Sequence, residues 1–177
     1  ILRCIYIDRL DIVWLGTFGG GINKVNSNKR FNVYKHNPTD NNSISHNMIR
    51  SLHEDQDGNI WIGTLGKGLN KLHANRDRIE HFIKSRSSMS ISDNIITSII
   101  DDKSGNLWVG TWGGGLNRIK FSSGPDGKTR ISSNVLISTN TRAPFTISSN
   151  IVQALFIDSE DNLWIGTEDG LNIYNIT

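Results

Sequence analysis

Four stretches of this chain carry residues of the kind that can cradle a phosphate. They are "VWLGTFGGGINKV" (13–25), "NIWIGTLGKGLNKL" (59–72), "NLWVGTWGGGLNRI" (106–119) and "NLWIGTEDGLNIY" (162–174). A glycine-rich loop binds an anion when a strand leads in and a helix leads out, so that backbone N–H groups and the helix N-terminus converge on the charge. Here a second apolar run follows each loop. A loop used four times in one chain is also unlike a single active site. The glycines at 19–21, 66, 68 and 113–115 are therefore expected to supply the positive φ of a tight strand-to-strand connection.

The other chemistry-bearing residues also resolve mostly into scaffold. "DQDGN" (55–59) begins like a calcium loop, but the apolar run "IWI" occupies the later ligand positions and no closing Glu follows, so it reads as an Asp-Gly turn. The five histidines include no pair at metal-ligand spacing, and no serine sits in a nucleophile elbow, so neither a metal nor a catalytic residue is assigned. His53 shares a column with Tyr6, Ile100 and Phe156 and is expected to be a satisfied structural histidine. Asp8, Asp55, Asp102 and Asp158 each precede a tryptophan by six residues, where a carboxylate can accept backbone N–H bonds and close a turn. No cofactor is implied.

Variation between the repeated stretches is more informative for binding. One loop column holds Phe18, Leu65, Trp112 and Glu168, four different chemistries. A second column, eleven residues before each tryptophan, holds Arg3, Arg50, Thr97 and Gln153. It lies between the apolar column Leu2, Ile49, Ile96, Val152 and the small column Cys4, Ser51, Ser98, Ala154, whose small size suits a crowded axis. Trp112, Phe18, Arg50, Arg3, Thr97, Gln153 and Arg142, the last in the link 139–148, form the candidate ligand-binding set. Aromatic faces can stack on a sugar ring, and polar side chains can line the mouth of a funnel. A solvated channel without a ligand is the alternative for each of these residues.

The elements that must position these residues follow from the period. Trp14, Trp61 and Trp108 are 47 residues apart, and Trp164 follows after 56. The excess falls in "FSSGPDGKTRISSN" (121–134), which reads as a loop or hairpin insertion. Each unit holds short runs rich in Ile, Val and Trp between Gly and Asp-Gly clusters; in the second they are strands A (48–54), B (59–65), C (68–73) and D (79–84). No sustained helical period appears. A 40–50-residue unit of four strands predicts an all-β fold, a β-propeller with four-stranded antiparallel blades. The units span about 1–45, 46–92, 93–149 and 150–177, the last lacking its fourth strand. Strand B of each blade is apolar on both faces, as in a sheet sandwiched between two others. Because the strands alternate in direction, the B–C turns and the D-to-A links emerge on one face, which gathers the variable columns.

Of the 177 residues, 36% are hydrophobic and 20% charged, with net charge +2 and scattered basic residues, so neither nucleic acid nor direct membrane contact is expected of this segment. Cys4 is the single cysteine and forms no disulfide within the chain.

The stretch "HNPTDNNSISHNMIRSLHEDQDGNIWIGTLGKGLNKL" (36–72), with its echoes "SGNLWVGT" and "DNLWIGT", resembles the two-component regulator propeller repeat. That repeat occurs in tandem in periplasmic sensor regions of hybrid two-component histidine kinases. The resemblance implies a non-catalytic, periplasmic sensor propeller, with an oligosaccharide as signal and a kinase lying outside this chain. Two other classes stay open. One is a protein-interaction or dimerisation scaffold; the other is a propeller lyase or glycosidase, which would need carboxylates where the polar column has Arg, Thr and Gln. With three complete blades and one partial, the chain is expected to be part of a seven- or eight-bladed propeller. Its expected partners are then the remaining blades of the same polypeptide or a second copy in a homo-oligomer.

Overall fold

The computed structural model describes residues 1–9, 12–25, 31–140 and 145–176. The apolar runs become strands at the expected places. The first unit holds β1 (Leu2–Ile7), β2 (Val13–Thr17), β3 (Gly21–Val25) and β4 (Phe31–Tyr34). The second holds β5 (Ile49–Glu54), β6 (Ile60–Thr64), β7 (Leu69–Leu72) and β8 (Ile79–Phe82). The third holds β9 (Ile96–Asp101), β10 (Leu107–Thr111), β11 (Leu116–Ser123) and β12 (Thr129–Ile137), and the fourth β13 (Val152–Ile157), β14 (Asn162–Thr167) and β15 (Gly170–Asn175). Each unit is one antiparallel sheet with its strands in chain order. There is no helix among the described residues. The fold is a β-propeller arc of about four blades.

No blade has a core of its own, because each sheet is one layer thick. The core lies in three seams between blades. Trp14, Ile44, Ile49, Ile60 and Ile62 fill the first; Trp61, Ile91, Ile96, Leu107 and Val109 the second; Trp108, Ile147, Val152, Leu163 and Ile165 the third. Both faces of the inner blades are covered, so β6 and β10 are buried at every position. Ile44, Ile91 and Ile147, the central residues of "SIS" and "TIS", plug each seam from the link side.

A close contact in each seam, together with the small residue on the paired strand, explains the glycine that follows each "WL", "WI" or "WV". A Cβ on Gly16 would stand 2.9 Å from Ile49 Cγ2, one on Gly63 2.7 Å from Ile96 Cγ2, and one on Gly110 2.7 Å from Val152 Cγ1. The aliphatic side chain that opens each strand A is thus a knob seated on a bare glycine of the preceding blade. Cys4, Ser51, Ser98 and Ala154 pair across strands with Gly16, Gly63, Gly110 and Gly166. The small column is therefore small because it floors these holes, which corrects the reading that it relieves crowding at the axis.

Each tryptophan is locked by the aspartate six residues before it. The indole N–H donates to Asp8 at 2.8 Å, Asp55 at 2.7 Å, Asp102 at 2.8 Å and Asp158 at 2.8 Å. The same carboxylates accept the backbone N–H four residues on, at 2.9–3.0 Å, closing the A–B turn as expected. Across the strand pair a cation covers the ring, with Lys24 5.2 Å from the Trp14 centroid, Lys71 5.5 Å from Trp61 and Arg118 5.6 Å from Trp108. This is the place of the basic residue in "GINK", "GLNK" and "GLNR".

The insertion in the third unit is a hairpin, an extension of β11 and β12 that reaches back over the second blade. Phe121 packs 4.6 Å from Trp61 and 5.0 Å from Phe82, and Arg78 donates to the Gly127 carbonyl at 2.8 Å. The Thr129 backbone N–H reaches Glu80 at 3.1 Å. Burial pushes the Glu80 carboxyl up, but bonds from Thr129 and His73 and the nearby Arg78 outweigh it and hold the group below its ordinary value.

Three outcomes are expected. Trp61→Ala should lower the unfolding free energy by about 3–5 kcal/mol, while Trp112→Ala on the surface should leave the melting temperature nearly unchanged; thermal unfolding of both variants distinguishes packing from surface tryptophans. Gly63→Ala should cost about 1–3 kcal/mol by overpacking, and combined with Ile96→Ala it should cost less than the sum of the two single changes. The third concerns acid. The Asp158 carboxyl is lowered to about 2, first by the Trp164 indole N–H and next by the Asn162 backbone. Its contribution is thus present above the unfolded carboxyl value of about 4. It is lost as the pH falls through about 2. Trp164→Phe should return Asp158 toward the ordinary carboxylate value in an NMR titration, and the stability difference from the parent chain should close at strongly acid pH.

Candidate functional site

The variable columns meet where strand A of each blade breaks register. The pairing with strand B slips between Leu2 and Cys4, between Ile49 and Ser51, between Ile96 and Ser98, and between Val152 and Ala154. The extra residue is in every case the polar one: Arg3, Arg50, Thr97 or Gln153. A bulge leaves one residue out of the ladder and re-aims its side chain. It also shifts the phase of the strand, so that Ile49 faces the preceding blade while Ser51 faces the following one. Downstream of the bulge, Glu54 reaches back to Tyr6 at 3.2 Å and His53 forward to Asp101 at 2.7 Å.

The B–C turns stand over the same end. The glycine loops do cradle an acceptor, and it is a carbonyl of the next blade. Gly66 and Gly68 donate to the Asn94 carbonyl at 3.1 and 2.8 Å, and Gly113 and Gly115 to that of Asn150 at 3.1 and 2.9 Å. The positive φ at Gly66 (104°) and Gly68 (74°) turns both N–H groups onto one oxygen. The side chains of Asn47, Asn94 and Asn150 accept from the backbone N–H of His36, Lys84 and Thr139 at 2.7, 2.7 and 2.9 Å, binding the incoming link. Asn70, Asn117 and Asn172 in strand C accept from the backbone of Ser45, Ser92 and Ser148 at 2.7–3.1 Å. The recurrent asparagines are thus scaffold, and the anion-binding capacity of the loop is spent internally.

Against this frame the structure brings two predicted pairs together. The Arg50 guanidinium lies 5.3 Å from the Trp112 ring centroid, although the two residues belong to different blades. Arg3 lies 5.2 Å from that of Phe18 within the first blade. Trp112 is 39% exposed and Phe18 41%. Among the described residues, neither arginine takes part in an ion pair. Thr97 is half-buried, and its hydroxyl oxygen is buried without a hydrogen-bond partner among the described residues, so it does not face the mouth as expected. Gln153 is exposed at the fourth bulge. Arg142 lies outside the described residues.

Sequence reasoning missed a cleft of about 250 Å³ at the seam of the second and third blades, lined among others by Asp57, Trp61, Lys71, Asp101, Phe121 and Thr129. Its signal was the insertion itself, since Phe121 and Thr129 belong to the hairpin. Its principal polar groups serve the scaffold, because Asp101 binds His53 and Lys71 covers Trp61. Burial raises the Asp101 carboxyl, but the His53 hydrogen bond and charge outweigh it and lower the group. Burial also pushes the Cys4 thiol up to about 11, which keeps it protonated and unreactive at neutral pH.

Comparison with known proteins places these features. The extracellular domain of a hybrid two-component system from B. thetaiotaomicron is 21% identical with a TM-score of 0.56, over 97% of this chain and 27% of that one. PorZ, a surface component of the type-IX secretion system of Porphyromonas gingivalis, is 19% identical with a TM-score of 0.69, over 99% of this chain and 26% of that one. Virginiamycin B lyase from Staphylococcus aureus is 17% identical with a TM-score of 0.62, over 99% of this chain and 55% of that one. At these identities the likeness concerns the fold, and the chain spans about a quarter of the length of the first two. No curated protein matches the chain. The two component regulator propeller model matches residues 43–66, 90–113 and 146–169, each match running from the seam-plugging "SIS" or "TIS" to the B–C turn. Those matched elements are the seam plugs, indole locks and carbonyl cradles described above, and over these three stretches the chain is similar to the two component regulator propeller repeat.

Proposed function

We propose that this chain is a ligand-sensing segment of an extracytoplasmic, periplasmic sensor propeller, and that its ligand is an oligosaccharide held at the mouth formed by the strand A bulges and B–C turns. The observation that carries the reading is the contact between the half-buried Arg50 and the exposed Trp112 ring, a pairing of side chains that the repeated scaffold contacts do not include. An aromatic face can stack on the apolar face of a sugar ring while a guanidinium without an ion pair binds hydroxyls or a carboxylate. The repeat match and the likeness to extracellular domains of two-component systems support a sensing role, with the kinase lying outside these residues. A catalytic role is disfavoured because the four bulge positions carry Arg, Arg, Thr and Gln and offer no carboxylate pair.

A glycan array of neutral and acidic oligosaccharides probed with the chain, followed by calorimetry on the tightest binder, tests this. Trp112→Ala and Arg50→Ala should each weaken binding by roughly tenfold to a hundredfold, as expected for loss of a stacking face or a charge-assisted hydrogen bond. Neither should alter the melting temperature appreciably. Binding that survives in the double variant removes the pair from the site, and an array without any binder removes the oligosaccharide.

A further inference from the structure

The first two seams are built from the same parts with one exchange. In the first seam Arg76 of the second blade reaches back over the first blade. Its guanidinium lies 5.2 Å from the Trp14 ring centroid, donates to the Gly58 carbonyl at 2.8 Å and stands 3.9 Å from the Glu54 carboxylate. Glu54 also accepts from the Tyr6 hydroxyl at 3.2 Å and the Arg9 backbone at 3.3 Å. A cation is thus held between a ring, a carbonyl and a carboxylate.

In the second seam each of these partners recurs. Trp61 takes the place of Trp14. Asp101, seven residues before Trp108, takes the place of Glu54, seven before Trp61, and Gly105 and Gly58 each lie three before the same tryptophans. Asp101 meets His53 at 2.7 Å and the Gln56 backbone at 3.3 Å, as Glu54 meets Tyr6 and Arg9. The guanidinium is what changes. Arg76 lies fifteen residues after Trp61, and the residue fifteen after Trp108 is Ser123, in the hairpin.

This short side chain leaves the cleft of about 250 Å³, which Trp61, Asp101, Gly105 and Ser123 all line. Phe121, 4.6 Å from Trp61, adds a second ring to its wall, and the exposed Asp57 adds a second carboxylate. Among the described residues Asp57 takes part in no ion pair, and Asp101 meets a cation only at His53, when that imidazole is protonated. Lys71 on the wall does not oppose another cation, because its counterpart Lys24 stands 5.2 Å from the same Trp14 ring that Arg76 covers. The cleft is built wholly from the second and third blades. It lies among the A–B turns, at the end of the arc opposite the B–C turns, and is separate from the mouth proposed for the oligosaccharide.

We propose that this cleft binds a guanidinium group supplied by an arginine-like ligand, with Asp101 and Asp57 as its countercharges, the Gly105 carbonyl as acceptor and Trp61 and Phe121 as its aromatic wall.

Calorimetry and NMR amide shifts of the 177-residue chain with L-arginine test the proposal, with citrulline, in which a neutral urea replaces the guanidinium, as the control. Arginine should shift the amides of 55–57, 101–105 and 121–129, and citrulline should bind at least about tenfold more weakly. The peptide Gly-Arg-Gly separates two sources of the same group: its binding assigns an arginine side chain presented by a polypeptide, and binding of arginine without it assigns a free small molecule. Asp101→Asn should weaken arginine binding by roughly tenfold to a hundredfold. Because Asp101 also holds His53, Ser123→Arg is the second variant; it places a tethered guanidinium at the exposed counterpart of Arg76 and should abolish binding without lowering the melting temperature. Trp112→Ala and Arg50→Ala should leave arginine binding unchanged. No binding at millimolar arginine, citrulline binding as tightly as arginine, binding that survives Ser123→Arg, or binding lost in Trp112→Ala would overturn the proposal.

Discussion

A sheet one layer thick cannot bury its own side chains, and everything else in this molecule follows from that constraint. Each blade must find its interior on its neighbours, so at each of the three seams an aliphatic knob of one blade closes on a bare glycine of the one before. Glycine in the middle of a strand is ordinarily unfavourable, since it gives up conformational freedom and offers nothing to pack. Here its cost is offset because no larger residue would let the blades meet. The opposing small column, the tryptophan beside it and the cation over the indole are all arranged around that contact.

The knob can serve this seam only because strand A changes phase immediately after it. A regular strand would point the knob and the small residue two positions later to the same side. The bulge separates them and leaves over one residue per blade that belongs to neither seam. These leftover positions, outside the knob-and-glycine contacts, are where the chain places Arg3, Arg50, Thr97 and Gln153. Scaffold and candidate site are therefore two results of one backbone irregularity.

Much of this was legible in the sequence because repetition exposes constraint. The period gave the blades, the loop glycines gave the turns, and the column of Asp announced scaffold chemistry. Their partners were less legible. That Asp55 binds the Trp61 indole as well as turn amides depends on a four-residue turn folding the chain back at a particular pitch. That Arg50 lies over Trp112 depends on the spacing between blades, which no local pattern encodes. The bulge was hidden because a slip of one residue leaves no trace in a composition of alternating polar and apolar types. The hairpin was visible as an insertion, but its target on the second blade was not.

The hairpin also makes the array unequal along its length. In a linear repeat array each unit touches only its neighbours, so stability is a sum of unit terms and nearest-neighbour couplings, and disorder enters from the ends. The reach of Phe121 and Thr129 onto Trp61, Phe82 and Glu80 adds a second set of contacts across the central seam alone. The coupling there is expected to exceed that of the seams on either side. The second and third blades are then joined more firmly than a repeat alone would join them, and the bulge residues they carry, Arg50 and Thr97, sit on that reinforced pair.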